Sequence, residues 1–193
     1  MRTGIRIGIA TCLAALSFSC TQQESSADLP GLIPDIDSLM SAGRADRSSI
    51  IKTSVLNGVP STGTYPATAA VDEELDVFTA LESMNRPVYR DSYSRTIRPD
   101  NTSNLMITEW IATDSAAQVR FFRLYRHDSL PGILRVEAML KQSSLFFTKE
   151  ERLNVSFDPW SGRPEHYETS GSQQIAWLSP DRYSVQARII YKQ

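Results

Sequence analysis

From Arg90 to the end of the chain, residues of two kinds change places at almost every step, and no other feature limits the fold so tightly. Leu134, Val136, Ala138 and Leu140 alternate with Arg135, Glu137 and Met139. Tyr183, Val185, Ala187, Ile189 and Tyr191 do the same against Ser184, Gln186 and Arg188. A period of two sends one set of side chains to each face of a strand, so one face is buried and the other is wet. Strands are predicted over 90–97, 103–112, 117–126, 132–141, 144–148, 152–157, 164–169, 173–178 and 182–191. Turn formers separate them, among them Asp114-Ser115, Asp128 to Gly132, Asp158 to Gly162, Ser170-Gly171 and Ser179-Pro180-Asp181. Links this short between alternating strands predict an antiparallel meander.

The segment before the meander is mixed. Residues 49–56 run into Asn57-Gly58, a two-residue hairpin signal because both positions accept positive φ. The returning arm, 59–66, carries Pro60, Gly63 and Pro66, which allow an edge strand at best; the alternative is a loop over 57–70. A short helix is expected over 32–43, with Pro34 in its first turn, Ile36, Leu39 and Met40 on one face, and Gly43 at its end. Val71 to Met84 reads as the main helix. Acidic residues 72–74 suit its first turn, Val71, Leu75, Phe78, Leu81 and Met84 form an apolar face, and Asn85-Arg86-Pro87 stops it. The expected architecture over 31–193 is therefore a single α+β domain. A curved antiparallel meander packs on one main helix, 71–84, preceded by the hairpin and the short helix. Curvature is expected because twisted sheets of many strands curl.

Residues 1–20, MRTGIRIGIATCLAALSFSC, read as an address. Arg2 and Arg6 form a basic n-region, and Ile7 to Leu16 is an apolar core too short to span a bilayer, which takes about 20 helical residues. A cysteine at the cleavage point, followed by polar Thr21-Gln22-Gln23-Glu24, resembles the lipobox of bacterial lipoproteins. Leu16 stands four places before Cys20, a relaxed spacing met in Bacteroidota-like sequences. Ordinary secretion with cleavage near Ser17 or Ser19, and a retained anchor, are the alternatives. The resemblance implies a signal peptide over 1–19 and acylation of Cys20 by a diacylglycerol thioether and an N-acyl chain such as palmitate. Residues 20–30 are then a lipidated flexible tether. Cysteine usage agrees. Cys12 leaves with the signal, and Cys20 is then a lone thiol in a compartment where disulfides are permitted. The expected location is the cell envelope, outer membrane rather than inner, with the membrane as partner through the lipid.

Without Arg2 and Arg6 the balance is 18 basic to 22 acidic residues. That balance, with no basic helix or Arg-rich run, argues against a nucleic-acid partner. Beyond the first twenty residues no apolar run approaches membrane-spanning length.

Several features recur together in one group of proteins. They are the lipobox-like start, Lys52-Thr53 with Asn57-Gly58, the acidic amphipathic segment, Asn85-Arg86-Pro87-Val88-Tyr89-Arg90-Asp91-Ser92-Tyr93, and Leu145 to Leu153 in the meander. The combination resembles a family of uncharacterised Bacteroidota lipoproteins carrying an N-K/R-P-aromatic-basic-D-S-Y segment before the sheet. It implies an architecture and a lipoprotein address, and no catalytic residues.

A search for chemistry returns little. His127-Asp128-Ser129 are neighbours on a turn and point apart, so they make no relay. His166 and Glu168 share a strand face, but two donors are thin for zinc. Asp72-Glu73-Glu74 lacks the spaced ligands and central glycine of a calcium loop and reads as a charged helix start. Glu109, Glu137 and Glu165 are the carboxylates on strands that glycoside hydrolysis could use. There is no phosphate loop, dinucleotide fingerprint or CxxC, so no catalytic residue, metal site or cofactor is expected. The strand Arg120 to Arg126 interleaves aromatic and basic residues. Its Arg120, Phe122, Arg123 and Tyr125 are the candidate surface for a ligand or partner, with core aromatics beside solvent-reaching arginine stems as the alternative. The functional expectation is a non-enzymatic envelope lipoprotein that binds a protein partner or an apolar ligand. The alternatives are a hydrolase of envelope glycans or lipids, or a structural subunit of an outer-membrane assembly.

Overall fold

In the computed structural model, residues 31–66 and 74–192 are described. The signal peptide, the tether with Cys20, and positions 71–73 of the expected helix lie outside them. Asn57 and Gly58 adopt φ of 49° and 87°, the left-handed pair that a two-residue hairpin turn requires. They join β1 (Arg47–Leu56) to β2 (Val59–Pro66) in the predicted register, with Leu56 opposite Val59. The meander then runs through β3 (Tyr93–Pro99), β4 (Met106–Ala112), β5 (Val119–Arg126), β6 (Ile133–Ser143), β7 (Phe147–Phe157), β8 (Pro164–Ile175) and β9 (Asp181–Tyr191). All neighbours are antiparallel, and one nine-stranded sheet results, in the order β2-β1-β9-β8-β7-β6-β5-β4-β3. The hairpin therefore docks on the last strand through β1, leaving β2 and β3 as the two edges. Pro60 and Pro66 on β2, and Arg95, Arg98 and Pro99 on β3, blunt those edges against pairing with a foreign strand.

Two pairs of expected strands are single strands. Residues 147–148 and 152–157 belong to β7, with 144–146 in the turn before it; 164–169 and 173–175 belong to β8, with 176–178 in the turn after it. Ser170-Gly171, expected as a turn, lies mid-strand. A Cβ on Gly171 would come within 2.4 Å of the Glu150 carbonyl oxygen and 2.9 Å of the Tyr183 hydroxyl. The glycine marks a close approach between strands.

The α+β expectation is overturned: the fold is essentially all-β. Among the described residues α-helix is confined to the six residues of α1 (Ile36–Ser41) and a turn at Glu74-Leu75. From Asp76 to Asn85 the expected main helix is a 3-10 helix, and a second 3-10 stretch, Pro87–Ser92, follows. The reason is spacing. Leu75, Phe78, Leu81 and Met84, all buried, stand three apart. At 3.0 residues per turn they stack in one line, whereas at 3.6 residues per turn each step would wind away by about 60°. Thr79 Oγ1 donates to the Asp76 carbonyl at 2.6 Å, a side-chain bond that competes with α-helical pairing. Arg86, held extended (φ −68°, ψ 135°) before Pro87, ends the segment as expected.

These short segments meet one face of the sheet. Ile36, Met40, Phe78, Leu81 and Met84 join Ile50, Phe122, Val136, Leu153, Val155 and Ile189 in a single buried cluster. Each such side chain contributes about 1.5–3 kcal/mol by leaving water. Polar contacts place the cover. Glu82 accepts from the Ile36 amide, Asn85 accepts from the Ile33 amide at 2.9 Å, and Asp35 caps α1 by accepting from the Ser38 amide at 3.0 Å. Glu74 is no solvated helix start. It accepts from the Tyr167 hydroxyl on β8 and pairs with Lys52 on β1 at 2.5 Å. On the same face Tyr183 donates to Glu151 at 2.5 Å.

Glu74→Ala leaves the Tyr167 hydroxyl and Lys52 without their partner, and urea unfolding is expected to show a loss of about 1–3 kcal/mol. Burial, and then donation to Glu74 and Glu151, push the hydroxyls of Tyr167 and Tyr183 well above their usual value of 10. Their contribution to stability is full below pH 10 and is lost as pH rises through the raised values. Ultraviolet titration is expected to show part of the phenolate signal appearing together with alkaline unfolding, and Tyr167→Phe to soften that transition.

Candidate functional site on the open sheet face

Because the apolar parity of the central strands is spent against the helical cover, the other parity forms a second face of different chemistry. Following the register across the sheet, one row reads Thr62, Thr53, Gln186, Glu168, Asn154, Glu137, Arg123, Glu109 and Thr96. It crosses all nine strands without an apolar residue. The adjacent row on this face carries Ile51, Arg188, His166, Ser156, Arg135 and Tyr125.

Toward β4 the first row is internally neutralised. Glu109, 6% exposed, takes the Arg123 Nε at 2.5 Å and lies 3.7 Å from Arg98. Glu137 accepts from the Tyr125 hydroxyl at 2.7 Å and stands 3.6 Å from Arg123 and 3.3 Å from Arg135. Arg123 also lies over Phe121 at 4.5 Å, and Arg135 over Tyr125 at 3.8 Å. Burial pulls the Arg123 guanidinium down, but the Glu109 bond and the surrounding negative charge outweigh it and hold its pKa above the ordinary value. Burial, and then the bond to Glu137, push the Tyr125 hydroxyl up.

Toward β9 the face is open. A recess of about 500 Å³ is lined by Arg135, Asn154, Ser156, His166, Glu168 and Arg188, among others. A second recess, about 290 Å³, shares Asn154 and Glu168 with it and adds Phe121, Arg123, Glu137 and Arg152. Arg152 and Arg188 form no ion pair or side-chain hydrogen bond among the described residues. The Oδ1 of Asn154, on the wall common to both recesses, is buried and accepts no hydrogen bond. A buried acceptor left unmet costs about 1–3 kcal/mol, so the position favours a donor supplied from outside. Glu168 accepts from Gln186 at 3.3 Å. Arg135 and Arg188 lie three strands apart on one row, a span of about 14 Å.

The four candidate residues lie on two sides of the pleat. Phe122 is fully buried and meets Trp110 edge-on at 5.5 Å. Arg120 donates its Nη1 to the carbonyls of Asp114 and Ser115 at 3.0 and 3.1 Å, tying down the turn before β5. Arg123 and Tyr125 do come together on the open face, joined through Glu137. His127 accepts from the Ser129 amide at 3.1 Å within its turn. Of the three carboxylates considered for hydrolysis, Glu109 and Glu137 are engaged by arginine and tyrosine, and Glu165 is exposed. His166 and Glu168 do share the open face. No group of three His, Cys, Asp or Glu able to hold a metal exists among the described residues.

Asn154, Arg152, Gln186 and Arg188 were missed as site residues. Their signal was the polar half of each alternation. What was lacking was the register that sets those halves side by side. No family model, curated protein or solved structure matches the chain.

Proposed function

We propose that the protein is an envelope lipoprotein, acylated at Cys20, that binds a ligand rather than transforming it. The open sheet face is its binding surface, and an acidic saccharide is its ligand. One observation carries the reading: the recesses around Asn154 place a buried, unmet acceptor between two arginines, Arg152 and Arg188, that have no partner among the described residues. The acceptor suits a ligand hydroxyl, and the guanidinium groups suit ligand carboxylates. Gln186, Ser156 and His166 add further donors and acceptors. The lining favours such a ligand over an apolar one, since the apolar face of the sheet is occupied by the helical cover. Binding is favoured over hydrolysis because Glu109 and Glu137 are committed to ion pairs.

Titration calorimetry against acidic and matched neutral oligosaccharides tests this. Arg188→Ala is expected to weaken the acidic ligand about tenfold, or about 1.4 kcal/mol, and to leave neutral ones unchanged. Higher salt is expected to weaken the acidic ligand as well. Cleavage of the saccharide, or equal affinity for acidic and neutral forms, would sink the proposal. Intact mass of the envelope-extracted protein is expected to begin at Cys20 and to include the mass of its acyl chains. Cys20→Ala is expected to release the protein from the membrane.

A further inference from the structure

One end of the sheet is apolar in a way the core does not require. The β6–β7 turn carries Leu145 and Phe146, exposed by 92% and 61%. Beside it, the segment linking β8 to β9 carries Ile175, Trp177 and Leu178, exposed by 48%, 91% and 60%. The two turns are bound together: the Ala176 amide donates to the Phe146 carbonyl at 2.8 Å, and the Phe146 and Trp177 rings lie 6.4 Å apart. The β1–β2 turn reaches the same end. Asn57 donates to Asp181 and accepts from the Arg182 amide, which brings exposed Leu56 and Val59 alongside.

We propose that this end inserts into the interfacial layer of a lipid bilayer. An exposure above nine-tenths means that Leu145 and Trp177 stand clear of the protein on nearly every side. An indole and aliphatic side chains projecting in this way suit the headgroup boundary of a bilayer. No charged residue occurs in 143–147 or 175–180. The turn backbones also satisfy one another, with the Ser144 amide on the Phe147 carbonyl at 2.7 Å and the Leu178 amide on the Ile175 carbonyl at 3.0 Å. That matters where no water is present to replace a missing hydrogen bond. Trp177 holds a φ of 67°, a conformation a bulky residue rarely adopts. A tryptophan kept there, where glycine would be relaxed, fits a role for the indole itself, and indoles favour the headgroup boundary. Arg182, at the start of β9 and without an ion pair among the described residues, is placed to meet lipid phosphate. The contact needs no acyl chain.

The test uses the full chain with Cys20→Ser, so that no acyl chain contributes, and Trp160→Phe, so that Trp177 is the exposed indole beside buried Trp110. Vesicles of phosphatidylcholine and phosphatidylethanolamine are added, with brominated phosphatidylcholine as quencher. The emission of Trp177 is expected to shift to the blue and to be quenched. The pair Leu145→Ser and Phe146→Ser is expected to reduce the quenched fraction about tenfold, with an unchanged urea midpoint showing that the fold is intact. Emission that stays water-like with vesicles present would overturn the proposal. So would a blue shift without vesicles that grows with protein concentration, because it would assign this end to self-association. Both proteins keep the same N-terminus and lack the Cys20 thiol that would be acylated, so either result leaves acylation and saccharide binding to be judged separately.

Discussion

Antiparallel pairing carried through nine strands, with local register shifts near Arg47, Val119, Tyr125 and Ser156, holds everything else in this molecule in place. Pleat parity is conserved along a register, so once Val136 faces Val155 and Val155 faces Tyr167, the neighbours of each are committed to the opposite side. The buried row and the polar row are therefore one decision. A slip by one residue in any strand would drive Glu137, Asn154 or Glu168 into the core and expose its apolar residues. The two-sided chemistry of the sheet is an error check on its own pairing.

The cover over the apolar face is built from short pieces rather than a long helix. Four side chains three residues apart line a 3-10 helix, and that thin element fits the ground between α1 and the sheet. Such a helix has weaker internal hydrogen bonding than an α-helix, so contacts with the sheet must hold it. Glu74, bound to β1 and β8 at once, and Glu82 and Asn85, bound to the chain entering α1, supply them. The acidic residue at the start of the segment works through tertiary hydrogen bonds, not through a helix dipole.

With the apolar face occupied, two surfaces are left for interaction. The open face is neutralised at its β4 side and holds uncommitted arginines toward β9, a gradient that gives a ligand somewhere to displace nothing and pair with something. The end formed by the three turns projects apolar side chains, with Asp181 and Arg182 at its base. The two lie on different parts of one sheet, so a protein held against lipid by its turns would keep the polar face free for solutes, and neither use requires the sheet to move.

Most of the secondary structure was legible in the residues. Alternation located the strands, Asn57-Gly58 located the hairpin, and Pro87 located the end of the segment before the meander. The errors have physical causes. Gly171 reads as a turn residue because a glycine permits turns, but here it permits two strands to approach. The stripe from Leu75 to Met84 fits a period of three as well as 3.6 over so few residues, and only contact with α1 and the sheet decided between them. Alternation already sets Arg120 and Phe122 on one face of their strand and Arg123 and Tyr125 on the other, but it is silent on the neighbours of Arg123, which are Glu109 and Glu137, fourteen residues away on either side. Which residues are wet, which dry, and where most turns fall could be read from the residues alone, because those are local preferences. That β1 closes on β9, and with it which polar residues of distant strands share a recess, emerges only when the strands pair, because register is a property of pairs.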